Sequence, residues 1–257
     1  MLDSRSLSSR LIDALIYIGL ILVGVVMLFP FLYVFSSSFS TAEDLLRGGI
    51  TLWPKQWSTA AYEVVLTSRV LRQAMGVSVF LAAAGTLVQL ALTAMMAYAL
   101  ASPHLIGRRF LLIMVIIPIL YWPGMIPRFL VVKAVGLMNS IWALIIPTAV
   151  RSFELIIMRN AFMDLPADIR ESAEIDGAND LQILWYLVLP LSMAMLAAIG
   201  LFYAVANWNN YFAAILFLND AQKWPIQIIL RQIILLSQDM FAQTDVSVQA
   251  PPYTIQM

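Results

Sequence analysis

Apolar residues along this chain come in long runs rather than in the alternation of half-buried strands. The five longest are each about the 20 residues that a helix needs to cross a hydrocarbon core. They cover roughly residues 11–35, 73–100, 110–132, 141–162 and 191–218. The first far exceeds the apolar core of a secretory signal, about 7–15 residues, and no A-x-A site follows it, so it reads as a span. Pro118, Pro123 and Pro127 in the third run and Pro147 in the fourth predict kinked or broken helices, because proline lacks the N–H that continues the ladder. Polar stretches at 37–72, 163–190 and 219–257 separate or follow the runs. Within the last of these, Pro225 to Leu236 is apolar but only about a dozen residues long and carries Arg231, which suits an amphipathic helix on a membrane surface. The fold class expected is all-α, a polytopic α-helical membrane protein in which residues 1–257 form a single transmembrane domain.

Composition narrows the function classes. Hydrophobic residues make up 61% and charged residues 12%, against about 45–50% and about 25% in soluble domains. That excludes an ordinary water-soluble enzyme. Disorder, a disulfide scaffold and nucleic-acid binding are excluded by the apolar content, the absence of cysteine, and 15 basic residues matched by 15 acidic ones. One histidine, His104, leaves Cys/His metal sites and His-dependent triads almost nothing to be built from, so no catalytic residue and no metal site is expected. Arg5 and Arg10 before the first run, with Arg108 and Arg109 between the second and third, favour a cytoplasmic N-terminus. Arg47, Lys55, Arg69, Arg72, Arg128, Lys133, Lys223 and Arg231 then lie outside and dilute the signal. This orientation places 163–190 in the cytoplasm and 37–72 outside.

The 163–190 stretch is the most informative. A loop joining two spans needs only about two to eight residues, and this one has about 28. Six of the fifteen acidic residues lie between Asp164 and Asp180, with Arg170 the only basic residue among them. Pro166 fits a first helical turn, Gly177 a left-handed stop, and Asn179 with Gln182 a capping box opening a second short helix. Glu171 and Glu174 share one face with Ile175 beside them.

Glu171-Ser172-Ala173, three residues, Gly177, nine residues and then Leu187-Val188-Leu189-Pro190 resembles the EAA loop of bacterial ABC importer permeases, E-A-A-x3-G-x9-I-x-L-P, departing at Ser172 and Leu187. The run Gly136-Leu137-Met138-Asn139-Ser140-Ile141-Trp142 resembles the carbohydrate-uptake branch of that family. The resemblance implies a type I ABC importer permease fold and an inner-membrane transport subunit rather than an enzyme. It implies as partners a second permease subunit, two copies of an ABC ATPase and an extracytoplasmic sugar-binding protein, besides membrane lipid, with no nucleic acid. No cofactor is expected in this chain, ATP and Mg belonging to the partner ATPase, and no G-x-x-x-x-G-K-[ST] occurs here. Glu171, Ser172, Ala173, Asp176, Gly177, Leu189 and Pro190 are the implied ATPase-coupling residues, with 166–176 a helix inserted into a cleft of the ATPase. Relatives usually have six core spans. With about five visible here, the sixth is expected to be missing or truncated.

Candidates for the substrate path come from the residues themselves. Charged groups at membrane depth usually face an interior or a partner, and Arg151 with Glu154 at i+3 is either such a path lining or a structural ion pair. Tyr203, Asn207, Trp208, Asn209, Asn210, Tyr211 and Phe212 combine aromatic faces for sugar C–H groups with amides for hydroxyls; an interfacial belt has the same composition. Tyr121 and Trp122 extend either reading. An unneutralised Arg151 favours an acidic saccharide such as a uronate oligomer, and the composition of 224–238 resembles a subgroup of these permeases that includes alginate transporters. Trp53, Trp57, Tyr62 and Arg69 are candidate contacts for the sugar-binding protein, or interface anchors. The competing reading is an ion-coupled secondary transporter, which calls for inverted repeats and more membrane carboxylates than Asp13 and Glu154. An intramembrane enzyme lacks H-E-x-x-H or G-x-S-x-G.

Overall fold

The computed structural model describes residues 7–46, 52–121 and 123–236. Arg5, Arg47, Trp122 and the 237–257 part of the final polar segment lie outside the described residues. Every element among the described residues is helical apart from one antiparallel bridge, Ser40 with Trp57. The chain forms two compact units, Met1–Arg72 and Gln73–Met257.

The first unit is built on α1 (Leu7–Ser38), followed by α2 (Ala42–Leu46) and α3 (Ala60–Thr67). The first apolar run lies inside α1, where no side chain from Ile12 to Phe35 is buried. Polarity rises at Ser36-Ser37-Ser38, and the helix stops there. Phe39 then packs its ring 5.6 Å from Trp57 and 5.0 Å from Tyr62, while Ser58 N donates to Phe39 O at 2.8 Å.

The second unit begins at Gln73, inside a helix that runs without interruption from Arg69 to Ala101: α4 (Arg69–Phe80), a π-turn at Leu81–Gly85, and α5 (Thr86–Ala101). Together with Ile12–Ser38 it is one of two helices among the described residues that are long and apolar enough to cross a membrane. The third apolar run is divided into α6 (Arg108–Leu120) and α7 (Met125–Ala134). The break falls between Pro118 and Pro127, at Gly124 with φ +73, as the prolines dictate. The fourth is divided into α8 (Trp142–Ile145), a 3₁₀ turn at Ile146–Thr148 carrying Pro147, and α9 (Ser152–Met163). The fifth becomes α13 (Met193–Trp208) and α14 (Tyr211–Phe217), divided at Asn209-Asn210.

Two apolar clusters hold this unit together. In one, Leu155 and Met158 of α9 pack with Ala97 of α5 and Ile199 of α13; in the other, Ala143 and Leu144 pack with Phe217, Leu218 and Ile228. Ile228 belongs to α15 (Ile226–Leu236), whose other flank, including Ile233 and Leu236, stays exposed. Asn139 ties the turn before α8 to the end of α14. It sits at φ +58, which asparagine tolerates. Its N–H donates to Phe217 O at 2.8 Å, and its side-chain oxygen accepts from the N–H groups of Asn219 and Asp220.

Candidate functional site: the coupling loop and the membrane cavity

The loop between α9 and α13 folds as two helices joined by a tight turn. The first, α10 (Ala167–Ile175), starts immediately after Pro166, which adopts φ −56 and ψ 127 ahead of the first turn. It ends in a Schellman arrangement: Gly177 N donates to Glu174 O at 3.1 Å and Ala178 N to Ala173 O at 3.0 Å. Gly177 has φ +83, the left-handed conformation that its lack of a Cβ permits. Asn179 and Gln182 form the reciprocal capping box at 2.9 Å each way. They start α11 (Asp180–Ile183), which continues through a π-turn at Leu184–Val188 into α12 (Leu189–Leu191). Pro190 has no N–H to give, and the helix leaves the loop by turning 86° between Asp180–Leu191 and Met193–Trp208.

Among the motif residues, Glu171, Asp176 and Gly177 face outward, with Ile175, 86% exposed, one turn after Glu171. Ser172 turns its hydroxyl back onto the helix, donating to Asp168 O at 2.6 Å, so serine in place of alanine costs no packing. Ala173 and Leu189 pack against the buried cluster. The helix therefore presents an acidic residue and a bare aliphatic side chain on one flank and is pinned by the other.

Arg170 does much of the pinning; its i+4 spacing to Glu174 is visible in the sequence, but its contacts with Tyr98 and Asp180 are not. Its Nε donates to Glu174 at 2.9 Å, its terminal nitrogen reaches Asp180 at 3.5 Å, and its guanidinium lies 5.4 Å from the centre of the Tyr98 ring. Tyr98 completes the knot by donating to Asp180 at 3.1 Å. Burial alone would lower the Arg170 pKa, but the Glu174 hydrogen bond and the surrounding charge outweigh it and raise the value. The knot joins the end of α5 to both halves of the loop. Nearby, Arg108 and Arg159 each donate to Leu100 O at 3.0 Å, two cations at the carbonyl end of α5, where the helix dipole favours them.

The path candidates divide into those inside the bundle and those outside it. Tyr203, fully buried, shares a 2.7 Å hydrogen bond with Thr93 and accepts from Arg151 N at 3.2 Å. Asn207 donates to Gln89 at 2.8 Å, and Gln89 in turn donates to Thr148 O and Oγ1 at 3.2 and 3.1 Å. A Cβ on Gly85 would stand 2.8 Å from the Asn207 amide nitrogen, so glycine makes room for this contact. These polar groups meet one another across α5, α13 and the segment between the 3₁₀ turn and α9, as groups without water must. Trp208 is half-buried; Asn209 and Tyr211 are exposed, Asn209 donating to Val205 O and Tyr211 carrying Arg231 5.0 Å from its ring centre.

Arg151 lies at the break of its span rather than in a continuous helix: it is extended, φ −99 and ψ 128, just before α9. It pairs with Glu154 at 2.9 Å, so the neutralisation that the i+3 spacing left open is made within this chain. Both residues line a cavity of about 650 Å³ bounded by the proline-broken parts of the third and fourth apolar runs. Arg128 lines the same cavity; in the sequence it figured only among the cations lying outside.

Three comparisons bear on this arrangement. Residues 74–250 match the model of the binding-protein-dependent transport system inner membrane component. The polygalacturonan/rhamnogalacturonan transport system permease protein YtcP of Bacillus subtilis strain 168 is 45% identical over 234 residues, 91% of this chain and 82% of its own. Protein LplC of the same strain is 43% identical over 230 residues, 90% of this chain and 78% of its own. Among solved structures, a bacterial ABC transporter involved in the import of the acidic polysaccharide alginate contains a chain that superposes with a TM-score of 0.86 at 33% identity, covering 89% of this chain and 81% of that one.

Proposed function

The chain belongs to the binding-protein-dependent transport system inner membrane components, the membrane permeases of ABC transporters, and from that membership we propose that it is one permease half of an importer for uronate-bearing oligosaccharides. In this reading an extracytoplasmic binding protein delivers the sugar, a second permease completes the path, and two copies of an ATPase supply the energy. The N-terminus is cytoplasmic, and so is the 163–190 loop.

The observation that carries the proposal is the loop's construction. A short helix held rigidly to α5 by Arg170, with Glu171 and Ile175 left uncovered, is suited to receive a push from a partner and pass it to α9 and α13 as rigid bodies. The substrate class is supported by what the relatives are named for, polygalacturonan and rhamnogalacturonan in one case and alginate in the other. The test is affinity purification of the chain from mild-detergent membranes, wild type beside Glu171→Lys, with mass spectrometry of the co-eluting proteins. We expect a second permease and an ATPase with the wild type, and loss of the ATPase alone from the variant. A chain that elutes by itself would overturn the reading in favour of an autonomous ion-coupled carrier.

A further inference from the structure

Three ionisable side chains line the cavity formed where the third and fourth apolar runs break: Arg128, Arg151 and Glu154. Their charges do not cancel. Glu154 is spent on Arg151 through one carboxylate oxygen, while its other oxygen, Oε2, is buried without a hydrogen-bond partner on a side chain only 5% exposed. Arg128 has no carboxylate partner among the described residues. Its Nε is buried and unpartnered, and its guanidinium lies 5.8 Å from the centre of the buried Phe217 ring. An unpaired cation in an apolar setting is costly, and such residues mark pathways or counter-ion sites. The first turn of α9 borders the same space, and α7 with its C-cap residue lines it from Pro127 to Val135. The walls between these groups are largely aliphatic and proline-rich, including Pro118, Val131 and Pro147, with the hydroxyl residues Thr148 and Ser152 among them.

A ligand complementary to this cavity carries one anionic group for Arg128, a hydroxyl donor for Glu154 Oε2, and an apolar ring face. A neutral sugar meets two of these demands, and a simple anion meets one. We propose that the cavity is a subsite for a uronate ring of the translocated oligosaccharide, with Arg128 as the specificity-determining cation that pairs its carboxylate and Glu154 as the hydroxyl acceptor beside it. Arg151 then serves to orient Glu154 rather than to hold the substrate charge. The inference rests on the reading of the chain as an oligosaccharide permease.

The experiment uses the complete transporter in proteoliposomes, supplied with saturating liganded binding protein so that selectivity at delivery is not what is read. Uptake of a galacturonate trimer is compared with uptake of a neutral galactose trimer for wild type, Arg128→Gln and Arg128→Lys. We expect Arg128→Gln to slow the uronate by about tenfold or more, the scale of a lost charge-assisted hydrogen bond, to leave the neutral trimer near wild type, and Arg128→Lys to recover part of the uronate rate. Equal uronate uptake by wild type and Arg128→Gln would overturn this inference and leave the permease reading standing. Equal slowing of both sugars would overturn it too, marking Arg128 as a partner for a carboxylate of the second permease. A wild type that carries only the neutral trimer would defeat the uronate reading and this inference with it.

Discussion

A phenolic oxygen can both donate and accept, and Tyr203 makes two hydrogen bonds in a place where neither can be replaced by water. Its hydroxyl joins Thr93 on α5 to the backbone N–H of Arg151, the extended residue just before α9. Tyr203→Phe keeps the buried ring and removes both bonds, leaving that N–H orphaned. Because hydrogen bonds among membrane helices average less than those in soluble cores, the expected loss is about 1–2 kcal/mol. The melting temperature of the purified complex is the measurement: it should fall, while co-purification of the ATPase is unchanged. An unaltered melting temperature would mean that the Arg151 N–H finds another acceptor. At this scale the sequence was only partly readable. The spacing of Arg151 and Glu154 put the two within reach of each other, because i and i+3 are neighbours on a helix, and left open whether they pair. Tyr203, Asn207 and Gln89 showed only that polar groups were present at depth. That they bond to one another depends on which helices face each other, and no local spacing carries that information. Arg128 was hidden for a related reason, since its significance lies in lacking a partner.

Among the elements, α10 and its stop are where local rules and structure agree most closely, because caps and tight turns are set by residues a few positions apart. Gly177 and the Asn179–Gln182 box take the positions their chemistry indicated, while Pro166 stands one residue ahead of the first turn expected of it, as the non-helical cap. Arg170 escaped notice since its partners Tyr98 and Asp180 come from separate helices. Gly177 offers a clean test: nothing lies within 4 Å of a Cβ placed there, so substitution acts through the backbone alone. Gly177→Val forces a β-branched residue into the left-handed region, at a cost of about 1–3 kcal/mol, and Gly177→Asn is tolerated there. Sugar-stimulated ATP hydrolysis by the reconstituted complex should drop with valine and largely survive with asparagine. Equal activity of the two variants would show that the turn is not what transmits the motion. The apolar runs were legible as runs, and Pro118, Pro123, Pro127 and Pro147 foretold where two of them divide. The division of the fifth at Asn209-Asn210 has no proline to announce it.

For the molecule as a whole, the absence of cysteine is an experimental advantage, since a single introduced thiol can be labelled without background. Ile106, 95% exposed in the turn between α5 and α6, and Lys55, exposed in the first unit, lie on opposite sides of the membrane in the proposed orientation. With a membrane-impermeant maleimide on intact cells, Lys55→Cys should react at once and Ile106→Cys only after permeabilisation; the reverse pattern would invert the topology. Composition alone was enough to require a lipid solvent, and the loop motif was enough to suggest the family, because both are properties of the chain rather than of its packing. The helix α1 has one more implication. At about 1.5 Å per residue its 32 residues extend about 48 Å, well beyond a hydrocarbon core of about 30 Å, and none of its side chains from Ile12 to Phe35 is buried among the described residues. A rod longer than that core and left uncovered along its apolar length leans by an amount that the surrounding bilayer helps to set. Acyl-chain length thereby becomes a control on the pose of the first helix, set by the membrane and not by the gene.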